Sequence, residues 1–262
     1  MFSYLREPTP RGVGDVGVAF TDRRGGVSVG GFRSLNFGRT DVDELAALRT
    51  NMSLLRARLG IAPLQTVHQV HGTMIRHIDR VDDLQGPEGW LGDLVPGGAP
   101  VPVADSIVCT LPDVPLAIRV ADCVPVVLAD VHAGVIGAAH AGRVGLLTRV
   151  LQATVDAMAS RGATSLEAWV GPHICGRCYE VPDDMAAQAY RALPALRARS
   201  RWHTASLDLG AGTQAVLEAA GVRVHRVDPC TLEHPDTLFS HRGSRGRAGR
   251  QIGLIWRDGS TS

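Results

Sequence analysis

The chain has 262 residues, of which 45% are hydrophobic and 20% are charged, and its net charge at pH 7 is +1. This length predicts a single α/β domain over residues 1–262, with enough apolar material for a large core. The hydrophobic runs fall short of the roughly 18 apolar residues that a membrane span needs. The small net charge gives no reason to expect nucleic acid or an anionic membrane as a partner.

The first half of the chain alternates strand-like and helical patterns. The glycine-rich N-terminal part favours strands and turns, and a helix follows. Asp41 can cap this helix with Glu44 as its capping-box partner. An apolar face recurs at helical spacing from Leu45 to Leu59, and Gly60 ends the helix.

Short strands and one long loop come next. Strands are predicted at 66–70 and 74–78, followed by a surface loop at 82–103 that holds four prolines and five glycines. Apolar, β-branched runs predict three further strand regions at 106–110, 116–123 and 124–140, of the kind buried in the centre of a sheet.

The second half of the chain alternates helices and strands. Helices are predicted from Leu146 to Met158, at 183–197 and at 212–220. Strands are predicted at 166–171, 222–227 and 252–256. The alternation favours α/β layers, whereas the hairpin-like neighbours at 116–140 argue against a purely parallel sheet. We expect short flexible termini at 1–15 and 257–262.

Targeting and redox state follow from the N-terminus and the cysteines. The opening MFSYLREPTPRG lacks the apolar core of a signal peptide, so we expect no export. The five cysteines are odd in number and widely spread: Cys109, Cys123, Cys175, Cys178 and Cys230. They predict reduced thiols in a cytoplasmic protein rather than a disulfide-stapled secreted domain.

Three potential metal ligands end strand-like segments, each beside a Gly or Pro turn. His71, Cys123 and His140 could converge at one sheet edge, and two imidazoles with one thiolate suit a zinc ion that keeps a fourth position open. Copper is a weaker fit, because blue-copper ligands cluster in one loop. The spacing matches no compact zinc motif, and a hydrogen-bonded histidine or a buried cysteine would give the same pattern.

Other residues are ambiguous from the sequence. Asp122 could orient a ligand or act as general acid and base, or it could be a turn aspartate. The Cys175–Cys178 pair could be redox-active or half of a zinc site, but without a second CxxC we interpret it as structural or incidental. Arg23, beside a Gly-Gly turn, could help to cradle an anion or could belong to an ordinary hairpin turn. The basic stretch 241–250 could be an anion-binding lip or a solvated loop.

Seven motifs occur together in a characteristic order. They are RRGGVS, SLN, TVHQVHG, ADCVPVVLAD, AAHAG, GPHICGRCYEV and DTLFSHRGSRGRAGRQIGLIW. Over about residues 17–256 the chain resembles the YfiH/laccase-domain family, formerly labelled polyphenol oxidase and now understood as purine nucleoside phosphorylase. The resemblance implies a layered α-β-β-α sandwich with mixed sheets and zinc bound by His71, Cys123 and His140.

The resemblance also implies an activity. This is phosphate-dependent cleavage of adenosine, inosine, guanosine and methylthioadenosine, with adenosine deamination as a side activity. Arg23, Asn36 and Arg250 match family positions around the pocket. Two departures concern the substrate side. Arg143 stands where the family has tryptophan in HAG-Trp-Arg-Gly, and Arg242 lies in Ser-His-Arg-Gly where the family has Ser-Tyr-Arg-Arg.

The sequence therefore predicts a zinc-dependent purine nucleoside phosphorylase whose partners are purine nucleosides and phosphate. The predicted catalytic residues are Asp122, Cys123 and His140. The predicted substrate and phosphate ligands are Arg23, Asn36, Arg143, Arg242 and Arg250. Three rival hypotheses remain: a copper phenol oxidase, a thiol hydrolase that pairs Cys123 with His140, and a non-catalytic metal-stabilised module in cell-wall or division processes. Monomer and homodimer stay equally open.

Overall fold

Two β-sheets form the centre of the molecule in the computed structural model, which describes residues 1–8, 15–38 and 43–259. The smaller sheet is antiparallel, and its strands lie in the order β1 (Phe2–Arg6), β2 (Val16–Thr21), β12 (Gln251–Arg257) and β5 (Leu116–Val120). Residues 2–6, within the segment expected as a flexible terminus, thus form an edge strand.

The larger sheet is mixed and has six strands. Its order is β11 (Arg223–Arg226), β8 (Glu167–Val170), β6 (Val124–Asp130), β7 (Val135–Ala141), β4 (Ser106–Cys109) and β3 (Ile75–Ile78). The outermost pair at each edge runs parallel, and the central pairs run antiparallel. A separate hairpin consists of β9 (Arg197–Arg199) and β10 (Ala205–Leu207).

The sheets pack face to face and helices cover their outer faces. Phe20 and Ile118 of the smaller sheet belong to the same buried cluster as Val127 and Ile136 of the larger one. Helix α1 (Leu45–Leu59) packs on the other face of the smaller sheet.

In the part of the chain that the structure describes, four more α-helices complete the outer layers. They are α2 (Arg143–Leu147), α3 (Val150–Ala159), α4 (Asp183–Ala192) and α5 (Leu209–Ala219). The buried side chains of α2, α3 and α5 pack against the larger sheet. This order of layers confirms the predicted α-β-β-α sandwich. No helix in the described ranges is long and apolar enough to cross a membrane.

Helix ends account for most differences from the predicted elements. Helix α1 and its Gly60 end are confirmed, with Gly60 at φ 67°, whereas the predicted cap Asp41 lies outside the described residues. The single helix predicted at 146–158 is wrong, because Arg149 takes φ 75° and separates α2 from α3. Helix α4 ends before 197, since Leu193 precedes Pro194 and is therefore extended.

Two segments differ more strongly. The strand predicted at 66–70 is wrong: the backbone there makes isolated bridges at Gln65 and His68 to different neighbours rather than a continuous ladder. The 82–103 loop does not lie wholly on the surface, because Trp90 and Leu91 are buried in the α1 layer. Helix α5 begins at Leu209, earlier than the predicted 212, because the Asp208 side chain caps its first turn.

Candidate metal centre

The structure brings the three predicted ligands together. One nitrogen each of His71 and His140 and the Cys123 sulfur lie within 4.8 Å of one another. The Cys123 Sγ is 3.6 Å from His71 Nε2, and the two imidazole rings meet edge to face with centroids 4.7 Å apart. The convergence that the sequence suggested therefore exists, while the role of these residues as ligands is still a proposal.

Each residue reaches this point from a different element. His140 is the penultimate residue of β7 and is buried. Cys123 lies in the tight turn that joins β5 to β6. His71 lies in an irregular segment before β3 and takes φ 61°. Gly142 leaves room for the cluster, because a Cβ there would lie 2.6 Å from His71 Cδ2 and 3.1 Å from Cys123 Sγ.

A buried carboxylate, which the sequence reasoning missed, organises the cluster. Asp105 is fully buried and accepts hydrogen bonds from the backbone N–H groups of Val70, His71 and Gly72 at 3.1, 2.9 and 2.6 Å. Its Oδ1 is also 2.8 Å from His140 Nδ1. This contact leaves His140 Nε2 as the nitrogen that can bind a metal, the usual orienting role of a carboxylate behind a ligand histidine.

The electrostatics of the group favour a thiolate. Burial alone would raise the pKa of Cys123, but the neighbouring His140 and His71 lower it to about 6. Burial likewise disfavours the charged form of His140, yet Asp105 and Cys123 raise its pKa to about 9. Burial would raise the pKa of Asp105, and His140 with the backbone N–H groups holds it below its usual range. A thiolate is the form in which cysteine binds metals.

Two cavities meet at the cluster. The first, of about 540 Å³, is lined by Gln69, Asp93, Leu94 and Arg250 together with the three potential ligands. The second, of about 490 Å³, is lined by Arg143, Arg242, Tyr179 and Ile174 together with His71 and Cys123. Both volumes lie in the range of small-molecule sites. The 82–103 loop thus contributes Asp93 and Leu94 to the first cavity.

Two of the predicted arginines line the second cavity. Arg143 is the first residue of α2, and Arg242 lies in the basic stretch near the C-terminus. The Arg242 guanidinium lies over the Tyr179 ring at 5.3 Å and donates to the carbonyl of Glu180 at 3.1 Å. Burial raises the pKa of Tyr179, and Arg143 opposes this shift. This side of the cluster is therefore suited to an anion.

Arg250 and Asn36 lie on the other side. Arg250 lines the first cavity, where its guanidinium donates to the carbonyls of Ala248 and Gly249. Asn36 is fully buried and does not line either cavity. Its Oδ1 accepts from the backbone N–H groups of Arg250 and Gly38 at 2.8 and 2.7 Å. Asn36 therefore positions the first cavity's wall rather than facing a ligand.

The remaining predicted residues make structural contacts. The Arg23 guanidinium donates to the carbonyls of Arg33 and Pro235 and lies over the Phe239 ring, so it is not brought to the cluster. The Asp122 side chain uses both oxygens: Oδ1 accepts from Thr231 Oγ1 at 2.5 Å, and Oδ2 accepts from a backbone N–H at 2.7 Å. These contacts favour the turn interpretation of Asp122.

The sequence reasoning also missed His241 and Tyr179. His241 lines both cavities and is exposed, whereas Tyr179 lines the second. His241 lies in the basic stretch, where the arginines are the stronger sequence signal for an anion site. For Asp105 the available signal was an aspartate immediately before a buried strand, which is too common to single out.

The donor set fits a metal ion. Two imidazole nitrogens and one thiolate are ligands that zinc takes in sites with an open fourth position, and the flanking cavities give access to that position. The backing of His140 by Asp105 fits the same assignment. His71, Cys123 and His140 would hold the ion.

Comparison with known proteins identifies the family. A family model described as multi-copper polyphenol oxidoreductase laccase matches residues 17–258. A purine nucleoside phosphorylase of Streptomyces griseus is 41% identical over 250 residues, covering 94% of this chain and 96% of that protein. One of Deinococcus radiodurans is 39% identical, covering 93% and 91% of the two chains.

Solved structures agree with these sequence matches. YfiH of Bacillus licheniformis superposes with a TM-score of 0.81 at 27% identity and covers 92% of each chain. YlmD of Geobacillus stearothermophilus superposes with a TM-score of 0.80 at 29% identity and covers 96% of this chain and 94% of its own. The chain belongs to this YfiH/laccase-domain family, which confirms the resemblance seen in its motifs.

Proposed function

We propose that this YfiH-family protein is a zinc-dependent purine nucleoside phosphorylase. The observation that carries the proposal is the His71–Cys123–His140 cluster between two cavities, one of which is lined by Arg143 and Arg242. Relatives up to 41% identical are named purine nucleoside phosphorylase. The proposed substrates are adenosine, inosine, guanosine and methylthioadenosine, with adenosine deamination at the same centre.

The two cavities suggest how the substrates are arranged. Phosphate would bind between the guanidinium groups of Arg143 and Arg242, because planar guanidinium groups make the strongest contacts to phosphate oxygens. The nucleoside would occupy the first cavity, with its base beside Leu94 and Asp93. Holding both partners at one junction converts a bimolecular encounter into an oriented reaction within the site.

Other groups would act at the junction. When bound, the zinc ion supplies Lewis-acid polarisation and orientation. His241 lines both cavities, so we assign it proton transfer to the departing purine. Asp122, with both oxygens engaged, holds the turn before Cys123 in place. The cytoplasm, where thiols such as Cys123 stay reduced, is the compartment that we propose.

One specific observation supports a different chemistry. Cys123, His140 and Asp105 stand in the order of a thiol nucleophile, its base and the carboxylate that orients the base. A thiol hydrolase would use these groups without zinc, and zinc would inhibit it. The description of the family model as a laccase supports copper instead, which metal analysis distinguishes from zinc.

Phosphate dependence tests the proposal. We expect the purified protein to release free purine from nucleosides only when phosphate is present. His71→Ala, Cys123→Ala and His140→Ala should each lose the zinc ion of this cluster and the phosphate-dependent release of purine, because three ligands leave no redundancy. The matched control is Cys109→Ala, which removes a buried thiol in β4, away from the cluster.

Each alternative has its own outcome. Purine release at equal rates with and without phosphate would refute phosphorolysis. Activity that rises when zinc is chelated and is abolished by Cys123→Ala would establish the thiol hydrolase. Copper rather than zinc in the purified protein, with oxidation of phenols, would establish the oxidase.

A further inference from the structure

A second group of potential ligands lies apart from the first. Cys175, Cys178, Cys230 and Glu233 each offer one sulfur or oxygen atom, and these four atoms lie within 4.8 Å of one another. Cys178 and Cys230 are buried and Cys175 is partly buried. The group shares no residue with the His71 cluster, and the function proposed above does not use it.

The backbone holds the four residues in place from two segments. The CxxC forms a tight turn after β8, in which Cys178 N–H and Tyr179 N–H both donate to the Cys175 carbonyl at 2.9 and 3.0 Å. The second segment follows β11 and lies beside this turn. There, the Cys175 N–H donates to the Cys230 sulfur at 3.4 Å, and His173 and Cys230 form a bridge.

We propose that these four residues form a second, structural zinc site. Thiolates are the ligands of structural zinc, carboxylate oxygens bind zinc as well, and such sites use four protein ligands in tetrahedral geometry. Tetrahedral ligands at about 2.3 Å from zinc lie about 3.8 Å apart. The ligand atoms observed within 4.8 Å of one another would therefore need to approach by at most about 1 Å to bind zinc. A second CxxC is not needed for four ligands, because Cys230 and Glu233 supply the other two.

A neighbouring arginine balances the charge. Three thiolates and one carboxylate around Zn²⁺ carry a net charge of about −2. The Arg201 guanidinium contacts the Cys178 sulfur and lies 3.4 Å from Glu233 Oε1. A cation that contacts two of the four ligands stabilises the anionic complex and orients those ligands.

The proposed structural zinc site lies behind a wall of the second cavity, the one lined by Arg143 and Arg242. Ile174 and Tyr179 flank the CxxC and line that cavity. Thr231 follows Cys230 and donates to Asp122, the residue before Cys123. Zinc at the second site would therefore fix the cavity wall and the turn that presents Cys123.

Zinc stoichiometry tests this inference on the full-length protein. We expect about two zinc ions per chain in the wild type, and about one in Cys178→Ser, Cys230→Ser or Glu233→Gln. Cys123→Ala should also retain about one, at the second site. The matched control Cys109→Ala should retain about two, because its thiol lies in β4 and outside both groups.

Alkylation provides a measurement that needs no variant. Cys175 is partly exposed, so in the zinc-loaded wild type its reaction with iodoacetamide, read by peptide mass spectrometry, should be slow and should accelerate at least tenfold after chelation. Equal rates before and after chelation would overturn the inference. A wild-type protein with about one zinc ion per chain, which Cys123→Ala removes, would also overturn the inference. A disulfide among Cys175, Cys178 and Cys230 in protein that lacks the second zinc would do the same. All three results leave the proposed function standing, because it uses none of these four residues.

Discussion

Replacing Asp105 by asparagine should lower both the unfolding free energy and the zinc affinity, and a control aspartate away from the cluster distinguishes the two effects. The Asp105 Oδ1 accepts from His71 N–H and His140 Nδ1, and its Oδ2 accepts from Val70 N–H and Gly72 N–H. An asparagine keeps one oxygen and turns an NH₂ group toward the other two donors. Either amide orientation therefore loses two charge-assisted hydrogen bonds.

The expected magnitudes follow from these contacts. Two charge-assisted hydrogen bonds at about 1.5 kcal/mol each amount to about 3 kcal/mol of unfolding free energy, and Asp105 is fully buried, so solvent does not screen them. Loss of a carboxylate behind a ligand histidine typically weakens metal binding about 10- to 100-fold. We therefore expect Asp105→Asn to bind zinc at the His71 cluster 10- to 100-fold more weakly.

The chain offers a matched control in Asp130. This aspartate is also buried, and its two oxygens accept four backbone N–H groups, from His132, Ala133, Thr164 and Ser165. It belongs to neither group of potential ligands. Asp130→Asn should therefore lose a similar unfolding free energy and keep its zinc affinity.

Two measurements decide the question. Urea unfolding gives the free energy of each variant, and competition with a chromophoric chelator gives zinc affinity in the Cys178→Ser background, which isolates the His71 cluster. If Asp105→Asn and Asp130→Asn bind zinc equally well, the assignment of Asp105 as the residue that orients His140 is wrong.

Two further predictions concern the cavity and the cluster. Arg143→Ala should lower kcat/KM for phosphate about ten- to a hundredfold with little change for nucleoside, and Arg143→Lys should recover only part of that loss. Arg250→Ala, which changes an arginine of the other cavity, serves as the comparison. Unchanged phosphate kinetics in Arg143→Ala would show that Arg143 does not bind phosphate. Gly142→Ala should weaken zinc binding at least tenfold, because its Cβ would lie 2.6 Å from His71. Gly145→Ala, whose Cβ would meet nothing closer than 3.4 Å, should bind zinc normally, and equal affinities would contradict the steric argument.

The sequence predicts this fold best where one local pattern decides the structure. Helix α1 follows from its apolar period and from Gly60, and the central strands follow from their β-branched runs. The break between α2 and α3 has no such signal, because Arg149 adopts a positive φ without a glycine or proline to mark it. The backbone of 66–70 is set by distant partners, which no local pattern reveals.

The same distinction applies to the sites. Three potential ligands beside Gly or Pro turns made the His71 cluster recognisable, although only His140 lies in a strand, and His71 lies in an irregular segment before β3. Asp105 acts on backbone N–H groups more than thirty residues away, so its role appears only once the chain is folded. Glu233 joins Cys178 across 55 residues, and its approach depends on the placement of β11 beside β8.

Asp122 connects these observations, because it touches the surroundings of both groups of potential ligands. Its carboxylate accepts from Thr231, and its carbonyl accepts from the Ile174 N–H. Thr231 and Ile174 are the immediate neighbours of Cys230 and Cys175, and Asp122 itself precedes Cys123. A shift of the second group would therefore move the turn that presents the Cys123 sulfur, so the effect of Asp122 on catalysis is expected to pass through position rather than proton transfer.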